Sequence, residues 1–309
     1  MAEVVQLRKE RDERPTWAPL PMTERIGKNI ARVQTECLIG LIYGPPGVGK
    51  SVALHRAAAA DAARAAAASE WHQAYEERRA WKFSRSLDLL DRSAAPAGDE
   101  PLIPSKPFLD ADRVRGPSLF VVTANADMKH PKAVFEEVAR AMGLRRDASN
   151  ARSLLARVRA FIDEQRVPVL VAVDEAQNLE IPALDLLRSL WDKDDEPGER
   201  GRCGLLFVGN EEFATRWNPR DPGHKARFTQ LVSRIGLRMP IESSGDDDVS
   251  ALLDHLGVGD RGARACLHHT AEKPGHLRVV VRLVNEARAI GGVTLDTLRR
   301  AAARVGVEL

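Results

Sequence analysis

An α/β layered fold with a largely parallel sheet, followed by a small helical domain, is what this sequence predicts. Short apolar, β-branched runs alternate with longer helical patterns up to about residue 240. A glycine-rich octapeptide, residues 44–51, stands between one such run and a helix. Beyond about Ile241 the strand signal stops and only helical periodicity remains.

Taken in order, residues 1–22 are charged and then punctuated by Pro15, Pro19 and Pro21, the composition of an arm. A helix is expected from Thr23, its N-cap, to about Gln34, with Ile26, Ile30 and Val33 at helical spacing. The run CLIGLIY (37–43) is a buried strand that stops at Gly44. After the octapeptide a helix must begin, because ten of the residues from Ala57 to Ala68 are alanine, the best helix former. The helical signal continues through residues 71–92 and ends in a Pro/Gly-rich stretch before the next strand, SLFVVTA (118–124). One helix normally suffices to cross between parallel strands, so 61–117, mostly helical and then loop, reads as an insertion. Helices 131–142 and 151–165, strand 167–173, helix 181–191, strand 204–209 and a basic helical stretch 224–236 complete the core. Residues 241–309 carry helical patterns only and form the smaller domain, leaving 23–240 as the α/β core.

Composition narrows the class. With 44% hydrophobic and 29% charged residues the chain is an ordinary globular one, and no run reaches the ~18–20 apolar residues of a membrane span. The N-terminus has no apolar leader-like stretch, and three dispersed cysteines (Cys37, Cys203, Cys266) exclude a disulfide framework, as suits a reducing cytoplasm. Of 46 basic residues only 10 are lysine, an arginine bias that fits phosphate contacts or a GC-rich genome equally well.

The chemistry is concentrated in a few motifs. Gly44-Pro45-Pro46-Gly47-Val48-Gly49-Lys50-Ser51 matches G-x-x-x-x-G-K-[ST] in the strand-to-helix context that makes it a phosphate-binding loop. Its glycines let backbone N–H groups converge on phosphate oxygens at a helix N-terminus. Lys50 then reaches the β- and γ-phosphates of ATP and Ser51 ligates Mg²⁺. In VLVAVDEAQNL (169–179) an apolar strand ends in two carboxylates, Asp174 to hold the magnesium and Glu175 to polarise the attacking water. LLFVGNEEF (205–213) closes on Asn210, either a strand-end turn former or an amide that orients that water. In HKARFTQLVSRIGLR (224–238), Arg227 and Arg234 are candidates to reach a neighbouring subunit's phosphate. Arg278, in the first turn of the helix after Pro274-Gly275, can point back at the γ-phosphate from a helical lid. Trp71, Tyr75, Trp81 and Phe83 interleave with basic residues, a pattern that serves nucleic-acid binding or, with Trp71 and Tyr75 at i,i+4, helix packing.

In this order the motifs resemble those of the AAA+ ATPases, and TECLIGLIYGPPGVGKS, VDEAQNLEIPALDLLRSL, RFTQLVSRIG and KPGHLRVVVRL are similar to the family of the phage Mu B protein, TniB and TnsC. That family activates target DNA for transposition in an ATP-dependent way. The resemblance spans about residues 24–300 and implies an AAA+ three-layer core with a C-terminal helical lid. It also implies Arg234, in VSRIG, as the arginine supplied in trans. The family's DNA-contacting region corresponds to GLRRDASNARSLLARVR (143–159), making Arg145, Arg146, Arg152, Arg157 and Arg159 the candidate contacts to double-stranded DNA. Sequence-independent phosphate contacts of this kind are salt-sensitive. The function implied is an ATPase that self-associates into rings or filaments on DNA and recruits or activates a transposase. A helicase loader or initiator of similar core, and an ATP-switched adaptor that ignores DNA, are the alternatives.

Overall fold

The computed structural model describes residues 18–88, 101–102, 105–108, 111, 113–114, 116–128, 130–193, 200–216, 231–272, 277–307 and 309. Arg227, Pro274 and Gly275 lie outside these, as do residues 1–17 of the arm, much of the later part of 61–117 and the side chain of Phe83.

Helix α1 (Pro21–Thr35) precedes strand β1 (Ile39–Tyr43), and α2 (Lys50–Asp88) follows it. Then come β2 (Leu119–Thr123), α3 (Pro131–Ala141), α4 (Ala151–Glu164), β3 (Leu170–Asp174) and a single 3-10 turn (Ala176–Asn178). Helix α5 (Ile181–Trp191), β4 (Gly204–Gly209), α6 (Glu211–Arg216) and β5 (Ile235–Pro240) close the core. Four helices follow: α7 (Asp246–His255), α8 (Arg261–Ala271), α9 (Leu277–Ile290) and α10 (Leu295–Val305).

The five strands are all parallel, in the order β2-β3-β4-β1-β5. Side chains alternate between the two faces, as the period of a strand requires. Ile39, Leu41, Phe120, Val122, Val171, Val173, Leu205 and Phe207 join the core beneath α3, α4 and α5. Ile42, Leu119, Leu170, Ala172, Leu206, Val208, Leu237 and Met239 join Met22, Ile26, Ile30 and Val33 of α1 and Leu54 of α2. Three layers result, helices on both faces of a parallel sheet.

Two local expectations are corrected. Thr23 is not the N-cap of α1. Leu20 is, Pro21 opens the helix where its missing N–H costs nothing, and the Thr23 hydroxyl donates to the Leu20 carbonyl at 2.7 Å. The end of the basic stretch is not helix either, since residues 235–240 form edge strand β5 beside β1.

Helix α2 is 39 residues long, so the helical part of 61–117 continues the helix that starts at Lys50. At ~1.5 Å per residue it extends roughly 58 Å. Ala65 and Ala68 bury against Ala111 and Val114, whereas from Ser69 to Lys82 no residue is buried. The Trp71 and Tyr75 rings stack at 5.5 Å, with the Lys106 ammonium 5.7 Å from the Trp71 ring centre. The i,i+4 pair thus stacks on its own helix, as simple helix packing has it.

The four C-terminal helices enclose their own core of Val249, Leu252, Leu253, Leu267, Leu283, Val284 and Leu298, to which Leu20 is added from the chain entering α1. Buried Asp248 ties this domain to the α/β core. Its Oδ1 accepts from Met22 N at 2.8 Å and its Oδ2 from Gly245 N at 3.1 Å. One carboxylate therefore satisfies the first turns of both α1 and α7, where helix dipoles favour negative charge.

Candidate functional site

The carboxyl ends of β1, β3 and β4 meet in one crevice, the place where open parallel sheets bind ligands. From β1 the chain enters residues 44–51. Gly47 and Gly49 adopt φ of 82° and 94°, which side chains rarely tolerate, so the loop curls back on itself. Gly44 answers a different need: a Cβ there would land on the Ile241 carbonyl oxygen, where the end of β5 passes the loop. Val48 is fully buried and anchors the loop from below. The Lys50 ammonium donates to the carbonyls of Gly44 and Pro45 at 2.8 and 2.7 Å. Burial pushes its pKa down, and the carboxylates of Glu175, Asp174 and Glu211 pull it back up.

At the end of β3, Asp174 is buried and its Oδ1 accepts from Glu175 N at 2.9 Å. Glu175 has φ 54° and ψ 37°, a left-handed conformation that turns its exposed side chain out of the sheet. At the end of β4, Asn210 Oδ1 accepts from Phe213 N at 2.9 Å and so caps α6. Asn210 is therefore a turn former, and it also borders the crevice.

The crevice is a cavity of about 840 Å³ between core and lid. Pro46, Gly47, Gly49, Lys50, Ser51, Asp174, Glu175 and Asn210 line one side, and Leu252, His255, Leu256, Leu277, Arg278, Val281 and Arg282 the other. Ala18, Leu20 and Thr23 complete the wall at the chain's entry to α1. The structure thus brings together Lys50, Ser51, Asp174, Glu175, Asn210 and Arg278. It holds Arg234 elsewhere. Arg234 precedes β5 at the opposite end of the sheet, and six residues of strand at ~3.3 Å each put it roughly 20 Å from the loop.

The arginines of 143–159 are divided. Arg145 bonds Asp147 at 2.7 Å, holding that carboxyl below its ordinary pKa, and Arg157 reaches Asp147 at 3.4 Å and also the Arg145 carbonyl. Arg146 and Arg152 are exposed. Arg159 bonds the Ser189 carbonyl on α5 and joins two helices.

Comparison with known proteins follows this geometry. The family model described as "AAA domain" matches residues 33–217. The chain belongs to the AAA family. A second model, "Mu B transposition protein, C terminal", matches residues 233–303 of this AAA protein. The ATP-dependent target DNA activator B of Escherichia phage D108 is 32% identical over 111 residues, which are 36% of this chain and 33% of that protein. The Mu-like prophage FluMu DNA transposition protein B of Haemophilus influenzae is 26% identical over 53% of this chain and 54% of its own length. The AAA chain thus spans about a third to a half of these relatives. In fold it is similar to Cdc6p of Pyrobaculum aerophilum, with a TM-score of 0.56, 16% identity, and coverage of 94% of this chain and 69% of that one.

Two residues of this AAA site have no forewarning in its motifs. Gln177 donates to Glu175 Oε2 at 2.5 Å and accepts from Asn210 N at 3.3 Å. Arg282 stands one turn beyond Arg278 on α9 and lines the same cavity. Helical spacing from Arg278 is the signal that finds Arg282. Gln177 can be found only once the turn at Glu175 is known.

Proposed function

We propose that this AAA protein is an ATP-dependent activator of transposition, which assembles on double-stranded DNA when loaded with ATP and recruits or activates a transposase. The single observation that carries this reading is the pairing of a cavity lined by Gly47, Gly49, Lys50, Ser51, Asp174 and Glu175 with a C-terminal segment matching the Mu B model. The likeness to Cdc6p is one of fold and gives the initiator alternative no support of its own.

The cavity fits ATP and Mg²⁺ on its own terms. Its positive-φ glycines curl the loop back on itself, Lys50 and the hydroxyl of Ser51 line the cavity beside it, and that hydroxyl with the buried Asp174 carboxylate is an oxygen donor set suited to magnesium. Mg²⁺, when bound, offsets the charge of the phosphates. Gly47, Val48 and Gly49 present N–H groups, and Lys50 exchanges its two carbonyl partners for phosphate oxygens. Ser51 and Asp174 would hold the metal. Glu175 accepts the proton of the attacking water, Asn210 orients that water, and Arg278 reaches the γ-phosphate from the lid. Arg234 serves the site of a neighbouring copy. Residues 23–240 act as the ATPase core and 241–309 as the lid, with 1–22 as an arm. The exposed arginines of 143–159 contact DNA.

Glu175→Gln tests the reading. It keeps the size of the side chain and removes its basicity, so ATP binds and hydrolysis stalls. Long-lived ATP-dependent assemblies on duplex DNA are expected in electron micrographs. A variant that never binds DNA with ATP would refute the activator reading, and one hydrolysing at the parental rate would remove Glu175 from the catalytic set.

A further inference from the structure

The amide of Gln177 is used at both ends. Its Nε2 donates to Glu175 Oε2 at 2.5 Å, and its Oε1 accepts from the backbone N–H of Asn210 at 3.3 Å. These contacts link the ends of β3 and β4 through a side chain on the 3-10 turn. The left-handed backbone at Glu175 folds the chain so that side chains two residues apart meet. Gly209 keeps the place open, since a Cβ there would come within 3.1 Å of Gln177 Oε1. All four residues border the cavity.

A carboxylate on an exposed side chain rotates freely unless something fixes it. An amide supplies what this position asks for, a donor toward Glu175 and an acceptor toward the Asn210 N–H. Glutamate in its place has no donor and sets a second negative charge against Glu175. Methionine fills similar space and bonds to neither.

We infer that Gln177 is a positioning residue for hydrolysis. It holds one oxygen of Glu175 and leaves the other to face the attacking water, with its own orientation set by the strand end that carries Asn210. The inference rests on the reading of Glu175 as the base. It assigns Gln177 no contact with substrate.

The test uses the full chain with ATP and magnesium, in the presence and absence of duplex DNA. Gln177→Met is expected to lower kcat by roughly 10- to 100-fold, since misplacing a reacting group by about 1 Å can cost on the order of 10² in rate. The Kd for ATP should stay within about twofold, because the binding loop is untouched. Gln177→Glu is the second arm. A like charge beside Glu175 pushes its carboxylate out of place, so kcat should fall at least as far as in Gln177→Met. A residue that only props up the turn would move affinity and rate together. Parental kcat in both variants, or loss of ATP affinity in step with kcat in Gln177→Met, would overturn the inference. Glu175→Gln is run alongside. If it hydrolyses ATP at the parental rate, the base reading itself fails. If it stalls while Gln177→Met does not, only the role of Gln177 fails.

Discussion

Arg234 is bonded to Asp192, Nε to Oδ1 at 2.8 Å, across the gap between the turn before β5 and the end of α5. Asp192 also takes Arg188 at 2.6 Å, so its charge is shared by two guanidiniums. Since α5 starts at Ile181, after the 3-10 turn that follows Glu175, an 11-residue helix lies between the carboxylates proposed for hydrolysis and the arginine proposed for a neighbouring copy. Arg234→Ala should leave ATP binding nearly intact and cut hydrolysis steeply. An arginine supplied in trans is worth on the order of 10³–10⁵ in rate. Mixed with Glu175→Gln subunits, it should regain activity at junctions where an intact Arg234 meets an intact Glu175. Mixed assemblies with no recovered turnover at any ratio would argue against a shared site.

Lys50→Ala should abolish nucleotide-dependent DNA binding. The variant loses the main side-chain cation of the loop, and the carbonyls of buried Gly44 and Pro45 lose the donor they shared. A lower Tm is therefore expected, since a buried acceptor left unpaired costs about 1–3 kcal/mol, and ATP titration should show no binding. Normal ATP-dependent assemblies would contradict the proposed site.

Replacing Arg145, Arg146 and Arg152 together by alanine should weaken DNA binding and spare ATP binding. The slope of log affinity against log salt should shrink by about one unit per lost phosphate contact. Arg159→Ala should behave differently. Its guanidinium bonds the Ser189 carbonyl, so a lower Tm with an unchanged salt slope is expected.

Gly44→Ala is a stability prediction. The added methyl collides with backbone, the Ile241 carbonyl, which has no rotamer to yield. A cost of about 1–3 kcal/mol is expected in urea unfolding, with nucleotide binding weakened as the loop is displaced.

Thiol labelling provides a pH-dependent check. Burial pushes Cys203 up to about 12 from the ordinary 9.0, while Cys37 and Cys266 are raised without being fully buried. Between those two values the unfolded chain loses the Cys203 proton and the folded chain keeps it. Its contribution is therefore fully present below pH 9 and is lost as pH rises toward 12. At pH 8, iodoacetamide should modify Cys37 and Cys266 and leave Cys203 untouched until the chain unfolds, as peptide mapping would show.

The sequence displayed the strands with two buried faces plainly, because Leu205–Val208 and Val169–Val173 are unbroken apolar runs between turn residues. Strand β5 was hidden. Only Leu237 and Met239 are buried in IGLRMP, while Gly236, Arg238 and Pro240 are exposed, and an edge strand this short blends into its basic surroundings. The run at 37–43 reads as one strand, yet Cys37 has φ 51° and belongs to the turn after α1. The loop, carboxylate and strand-tip motifs of the candidate site announce themselves through local spacing. Partnerships such as Gln177 with Asn210 or Arg234 with Asp192 join residues 33 and 42 positions apart, and only the folded sheet brings them together.

Helix α2 has its first residues, Lys50 and Ser51, in the nucleotide cavity and continues without a break to Asp88. Asp61 accepts from the backbone N–H groups of Ser118 and Leu119, and Ala65 and Ala68 pack on Ala111 and Val114, so the rod is held as far as Ala68 and stands clear only beyond it. Tilting the 20 residues from Ser69 to Asp88 by about 10° would sweep the far end through roughly 5 Å, given ~1.5 Å of rise per residue. Leverage alone would turn a small change where the helix leaves the sheet into a movement the size of a side chain.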